Sequence, residues 1–310
     1  MKVLMLGGTG WVGHTISELL AEAGHEVAVA CRGTTGGFPA PPGRRVIHMN
    51  KNDPAAFRQA LAGRSFDAVI DSAPSQASLR NVFDLLGGRI RQYIHCSSTG
   101  VYVPLTRIPA TEEHPWREAT GANFMDKVKV DSLALDLHRE QGFPATIIRP
   151  TNITGAGIIP LDIWGARSAG YWRRLRQSLP ISIPGDGDTL LQPCHVKDVA
   201  KAFVLALGND RAIGRTYNVS AAYSITLRQY VEASKEILKS ASPVTCLPPE
   251  ELLRQFKETG AIDEGGLKFL CLHMCFDISR ARVELGYEPK FSPEQGTEDA
   301  IEWMLRTGTI

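Results

Sequence analysis

Glycines at positions 7, 10 and 13 stand in the segment Gly7-Gly-Thr-Gly-Trp-Val-Gly13, directly after a short apolar run and before an amphipathic stretch. A strand that turns through this G-x-x-G-x-x-G spacing into a helix can hold phosphate. Gly7 permits the tight turn, Gly10 lets backbone approach a pyrophosphate, and Gly13 lets the helix pack closely on the sheet. The helix N-terminus then presents free N–H groups and the positive end of its dipole to the anion. The implied ligand is a dinucleotide. At the end of the second expected strand, Val29-Ala30-Cys31-Arg32-Gly33 has no acidic residue for a ribose 2′-hydroxyl. Arg32 can instead pair with a 2′-phosphate, which favours NADP over NAD; a solvated loop arginine is the alternative. Asn50 and Lys51 follow the third strand, where an adenine edge could be contacted. Asp53 precedes Pro54 and reads as a helix cap.

Two further groups carry possible chemistry. Tyr171-Trp-Arg-Arg-Leu-Arg176 combines aromatic and basic residues. It could hold the phosphates of a nucleotide-linked substrate, stack on single-stranded RNA, or form an amphipathic helix surface. Cys271 and Cys275 flank His273, but no second ligand pair lies near and zinc wants four ligands, so no metal site is expected. The remaining cysteines, at 31, 96, 194 and 246, are scattered, which fits a reducing compartment.

These residues need a scaffold, and the pattern alternates. Strands are expected at 3–6, 26–31, 45–49, 66–71, 92–97 and 145–149, with helices at 11–23, from 54, at 76–86 and at 123–141. Repeated strand-helix-strand units imply an α/β fold, a Rossmann-type doubly wound parallel sheet with its ligand crevice at the strand C-termini. Residues 1–150 form the dinucleotide-binding domain, to which 195–220 return through a helix from 196 and a strand at 216–219. Residues 151–194 and 221–310 form a smaller substrate-binding portion with helices at 227–238, 249–258 and 293–305. Positions 33–43 read as a mobile loop beside the cofactor. Lys and Arg total 34 against 33 Asp and Glu, and the resulting formal charge of +1 argues against nucleic acid and anionic membrane as partners. The longest apolar runs are strand-sized and no signal peptide is evident, so a soluble cytoplasmic protein is expected.

The segments Gly7 to Gly13, Asp71-Ser-Ala73, Ser97-Ser-Thr-Gly-Val-Tyr102, Arg149-Pro150, Pro184-Gly-Asp-Gly187, His195-Val-Lys-Asp-Val-Ala200 and Phe276-Asp-Ile-Ser-Arg-Ala-Arg282 occur in this order along nearly the whole chain. In them the protein resembles the extended, epimerase/dehydratase-like branch of the short-chain dehydrogenase/reductases, and especially its atypical members. The resemblance implies cofactor contacts from Gly7, Thr9, Gly10, Trp11, Val12, Gly13, Ser72, Ala73, Lys127 and Pro150. It makes Ser98 the residue that hydrogen-bonds the reacting oxygen, with a turn serine as the plainer alternative. It makes Lys127 the residue that grips the nicotinamide ribose. The family's acid/base is a tyrosine four residues before that lysine, and here the position is Asn123. No tyrosine in the chain has a lysine four residues on.

An amide can orient or polarise a carbonyl but has no proton to exchange near neutral pH. Glu112, Glu113 and His114, in the loop before the helix, are the candidate substitutes, and a solvated loop is the plainer reading of them. Tyr102 and His195 read as structural, and Cys96 and Cys194 as core.

The expected function is therefore NAD(P)-dependent hydride transfer on a nucleotide-sugar-like or secondary-metabolite carbonyl or alcohol. The alternatives are a non-redox reaction such as elimination, and a catalytically silent, cofactor-sensing or RNA-binding protein. A homodimer through the 123–141 helix is what the resemblance implies.

Overall fold

The computed structural model describes residues 1–33, 38–39, 43–256 and 262–310. Of the loop expected over 33–43, positions 34–37 and 40–42 lie outside the described residues, as do 257 and 258 of the expected 249–258 helix.

In chain order the first part comprises β1 (Lys2–Leu6), α1 (Trp11–Glu22), β2 (Glu26–Cys31), β3 (Arg45–His48), α2 (Pro54–Leu61), β4 (Ala68–Asp71), α3 (Gln76–Leu86), β5 (Gln92–Cys96), α4 (Met125–Gln141) and β6 (Ala145–Pro150). There follow β7 (Ile153–Thr154), α5 (Ala169–Arg176), β8 (Ile181–Pro184), β9 (Leu190–Leu191), β10 (Cys194–His195), α6 (Val196–Ala206) and β11 (Thr216–Val219). The last part holds β12 (Ile225–Thr226), α7 (Leu227–Leu238), β13 (Val244–Leu247), α8 (Pro249–Phe256), α9 (Glu264–Leu270), α10 (Ser279–Leu285) and α11 (Pro293–Arg306).

Seven strands form one parallel sheet in the order β11-β6-β5-β4-β1-β2-β3. This is the doubly wound α/β sheet that the alternation predicts. Its winding reverses between β1 and β4, and the crevice for a ligand opens at that switch point. The register follows side-chain alternation. On β1, Val3 and Met5 face one core with Ile16 and Leu20 of α1 and Phe203 of α6, while Leu4 and Leu6 face a second with Phe57, Leu79 and Val130 of α2, α3 and α4. Three short strand pairs, β7 with β10, β8 with β13 and β9 with β12, organise the rest. A third core gathers there around Trp164, Tyr171, Trp172, Tyr230, Ile301 and Met304.

One boundary matters for the site. The 123–141 helix begins at Met125, with Phe124 as its N-cap. Asn123 stays in the preceding loop because its side chain binds loop backbone: Nδ2 donates to Val101 O and Glu118 O, and Oδ1 accepts from Thr120 N. Among the described residues no helix is long and apolar enough to cross a membrane.

Candidate active site

The glycine turn lies at the C-terminal end of β1. Gly7 has φ +80°, and a Cβ at position 13 would lie 2.3 Å from Gly7 O, so the helix rests directly on the turn. No side chain caps α1 and its first turn carries no acid, which leaves the helix dipole uncompensated toward the crevice. A cleft of about 1010 Å³ runs from here along the strand ends. Gly7, Thr9, Gly10, Trp11, Val12, Gly13, Arg32, Asn50, Lys51, Ser72 and Ala73 line it. Phe38, Pro39, His48 and Ile158 line it too, and neither the glycine motif nor the strand pattern singled them out. A glycine turn, a bare helix N-terminus and a cleft of this length fit a dinucleotide.

Several cleft residues have defined partners. Lys51 does not offer a free ammonium to adenine: Nζ donates to the buried Asp71 carboxylate and to Ala73 O, 2.5 Å each. Ser78 Oγ and Ala73 N also donate to Asp71, so the end of β4 is tied to the loop after β3. Asp53 accepts from Ala55 N and Ala56 N and caps α2. Arg32 is exposed at the rim.

A second cavity, about 530 Å³, adjoins the cleft and shares Trp11, Val12 and Ile158 with it. Trp11 Nε1 donates to Ala156 O at 2.8 Å, pinning the motif to the segment after β7. Ser98 lines this cavity just after β5, and its Oγ accepts from Gly100 N at 3.0 Å. It is therefore a turn serine and a cavity-wall hydroxyl together. The other lining residues come from distant segments and include Phe124, Asn152, Arg167, Phe269 and Met274. Asn152 had a usable signal, because it follows β6 where the crevice rule looks for function. Phe269 and Met274 had none. The roof meets the wall backbone to backbone: a Cβ at Gly165 would lie 2.0 Å from Gly266 C, and one at Gly266 would lie 2.2 Å from Gly165 O.

The other expected site residues lie elsewhere. Lys127 and Pro150 line neither cavity: Lys127 Nζ donates to Cys96 O at 3.3 Å, and Pro150 O accepts from Thr99 Oγ1. Asn123 also lies outside both linings, its amide spent on the loop, and the neighbouring Phe124 faces the cavity. Glu113 is exposed and paired with Arg280; against some desolvation, Thr111 and Arg280 hold its carboxyl below the usual glutamate range. Glu112 is buried, which raises its pKa although Asn218 N donates to it. His114 is buried with Nε2 beside Thr106 N and Oγ1 and Nδ1 beside Pro115 O. All three acid/base candidates therefore brace the loop rather than face a ligand.

In the basic aromatic segment, Tyr171 and Trp172 are fully buried. Arg173 donates to Thr309 O and Arg174 to Pro180 O. Of the three readings this is the amphipathic surface, with its rings unavailable for stacking on a base.

Beneath the Ser98 wall lies a buried polar network. The Asp131 carboxylate accepts from His95 Nε2 at 2.8 Å, Ser97 Oγ at 2.7 Å and Arg149 Nε at 2.9 Å. Burial alone would raise its pKa, but Arg149 and His95 hold the carboxyl below the ordinary aspartate value. Arg149 Nη1 donates to Tyr102 Oη at 2.6 Å, and Tyr102 donates on to Asn218. The Cys96 thiol, buried beside them, is pushed up to about 11. Burial lowers the His195 pKa against the raising effect of Asp299, which bonds Nε2 at 2.9 Å.

Fold and cleft define a dinucleotide-binding α/β protein with a ligand cavity opening beside the cofactor site. The chain belongs to the NAD dependent epimerase/dehydratase family, which matches residues 3–85 and 77–220. Along its whole length it is 27% identical to the chloroplast stem-loop binding protein of 41 kDa b of Arabidopsis thaliana, covering 80% of that protein. It is likewise 25% identical to the 2′-dehydrokanamycin reductase of Streptomyces kanamyceticus, covering 86% of it. Other homologues are epimerases and dehydratases. The crystal structure of a UDP-glucose 4-epimerase from Thermotoga maritima shares the fold with a TM-score of 0.78 at 19% identity, over 99% of each chain.

Proposed function

We propose that this protein is an NAD(P)-dependent oxidoreductase or epimerase-type enzyme acting on a carbonyl or secondary alcohol, with NADP the favoured cofactor. The observation that carries the reading is the meeting of cleft and cavity at Trp11, Val12 and Ile158, with the Ser98 hydroxyl on the cavity wall. A nicotinamide dinucleotide held in the cleft would supply hydride-transfer chemistry. Gly10 and the N-terminus of α1 would hold its phosphates, and Arg32 would pair with a 2′-phosphate. Ser98 holds the reacting oxygen. Its Oγ already accepts one hydrogen bond, so its own proton is the one to donate. Lys127, on α4 with its Nζ on Cys96 O at the C-terminal end of β5, is the residue that would position the ribose if its ammonium turned toward the cleft. The proton moves through the Ser98 hydroxyl and solvent, because Asn123, Glu113 and His114 are all engaged in the loop.

A second reading, a cofactor-binding member without catalysis that could bind RNA, is favoured by one observation: Asn123 stands four residues before Lys127 and both its amide N–H groups are engaged by loop carbonyls, leaving no donor for a substrate.

The test is to denature freshly purified protein, identify any released dinucleotide by chromatography, and titrate the emptied protein with NAD⁺ and NADP⁺. A retained dinucleotide supports a self-contained epimerase or dehydratase cycle. A protein purified empty that then binds NADP⁺ supports an exchanging reductase. Failure of both dinucleotides to bind overturns the enzyme reading in favour of the second, for which RNA affinity must fall with salt.

A further inference from the structure

We infer that Arg167 is an oxyanion anchor, so that the cavity beside the cleft takes a ligand carrying a carboxylate or phosphoryl group in addition to its reacting carbonyl or alcohol. This deepens the hydride-transfer reading and rests on it for the identity of the reacting group.

The first argument is charge. Among the described lining residues Arg167 is the sole charged side chain, and it keeps accessible surface. Among the described residues it forms no ion pair. Asp162 acts on it through space, but that carboxylate is spent on the loop backbone: Oδ1 accepts from Trp164 N at 2.8 Å and Ala166 N at 3.1 Å, and Oδ2 accepts from Ser168 N at 3.3 Å. Protein packed around the guanidinium lowers its pKa, against the opposing effects of Tyr230 and Asp162. A cation so placed, partly stripped of water and without a counter-charge, attracts an anion more strongly than one in bulk solvent does.

The second argument is preorganisation. Arg167 Nη1 donates to Ile159 O at 2.8 Å, and Nη2 donates to Ile153 O at 2.9 Å and to Asn152 Oδ1 at 3.3 Å. These neutral acceptors fix the guanidinium without cancelling its charge. The second N–H on Nη1 and the one on Nε find no acceptor among the described residues, and an oxyanion is the acceptor that suits them. The backbone bonds to Asp162 hold the loop that carries Arg167, so the anchor is in place before a ligand arrives.

The third argument is the rest of the wall. Phe124 and Phe269 stack with centroids 4.9 Å apart and planes at 16°, and Trp11, Ile158, Leu161 and Met274 continue an apolar lining. The arginines of α5 and the Lys127 ammonium line neither cavity, so no second cation competes for the anion. Ser98 lines the same cavity from another segment, and a ligand held by both residues is oriented as well as bound. The volume of about 530 Å³ admits a ring-sized body together with the anionic group.

The test is calorimetric titration of the full chain, emptied of dinucleotide and again with saturating NADP⁺, using two matched pairs of probes: 4-oxocyclohexanecarboxylate against its methyl ester, and UDP against uridine. In one pair or both, the charged member is expected to bind about tenfold or more tightly than its neutral partner. A preference confined to the first pair identifies a carboxylate ligand, and one confined to the second a phosphoryl ligand. Arg167→Gln should abolish the preference with dinucleotide affinity unchanged. Arg167→Lys should keep part of it, which separates loss of charge from loss of the three carbonyl contacts. Equal affinity within both pairs overturns the inference, as does a preference that persists in Arg167→Gln. If no dinucleotide binds while the preference depends on Arg167, the hydride-transfer reading fails and the anion assignment stands.

Discussion

The dinucleotide cleft and the adjoining cavity share a wall at Trp11, Val12 and Ile158 but are made of different material. The cleft is defined by backbone: a glycine turn at the end of a strand, a helix N-terminus and the ends of parallel strands. The cavity is defined by side chains from segments as far apart as Ser98, Asn152 and Phe276. A backbone site tolerates little substitution at its turn and wide variation elsewhere. A side-chain site can be rewritten residue by residue while the sheet stays the same, which is how one scaffold comes to host different substrates.

The largest effect should come from the network beneath both regions. Asp131→Asn leaves the Arg149 guanidinium buried without its carboxylate, and the expected loss is about 3–5 kcal/mol of folding stability, read by urea unfolding. Both sites should fail together in that variant. If only one does, the network serves that region alone.

Gly13→Ala comes next, since its Cβ would press on Gly7 O and Ser72 Oγ. We expect a stability loss of about 1–3 kcal/mol and no detectable dinucleotide binding. Gly10→Ala is its sharpening control. Its nearest neighbour would be Gly7 O at 3.3 Å, so the thermal midpoint should stay close to wild type while dinucleotide affinity falls at least tenfold. Wild-type affinity in Gly10→Ala would break the description of the cleft as a backbone site.

Asn123→Tyr tests the loop behind Phe124, outside both linings. The substitution removes bonds to Val101 O, Glu118 O and Thr120 N, and should cost about 1–2 kcal/mol without creating dehydrogenase activity. A gain of activity would mean that the loop can reorganise to present a hydroxyl to the cavity.

The smallest effect is on pH. Burial lowers the His195 pKa in the folded chain, so the unfolded chain takes up the proton first as pH falls. His195 then favours folding fully above about pH 6.5 and loses that contribution as pH drops below it. Thermal midpoints measured from pH 8 to 5 should decline over the lower part of this range, and His195→Gln should flatten the decline.

The unequal legibility of the two regions in the sequence has the same physical origin. Gly7, Gly10 and Gly13 are close together in the chain, and the period-two and helical patterns around them describe local geometry, so the doubly wound sheet could be inferred from residues alone. Arg32 and Asn50 stand out by their places beyond strand ends and Ser98 by the family resemblance, and all three line a cavity. Asn123 was placed on a helix because its neighbours are helical in pattern. Competing bonds from its amide to loop carbonyls moved the helix start to Met125. Glu113 and His114 were chosen for chemistry at a plausible loop, and their partners, Arg280 and Thr106, lie where no spacing rule reaches. Phe269, Asn152 and Arg167 meet only through tertiary packing.

The contact between Gly165 and Gly266 has a bearing on how this cavity can change. With backbone against backbone, the joint has no side chain to shorten or lengthen, so the height of the roof above the wall is set once for the whole pocket. Ligand range must then be tuned around the joint, at positions such as Leu161 and Phe269. Any alanine at the joint itself would lift α9 and alter every contact beneath it at once.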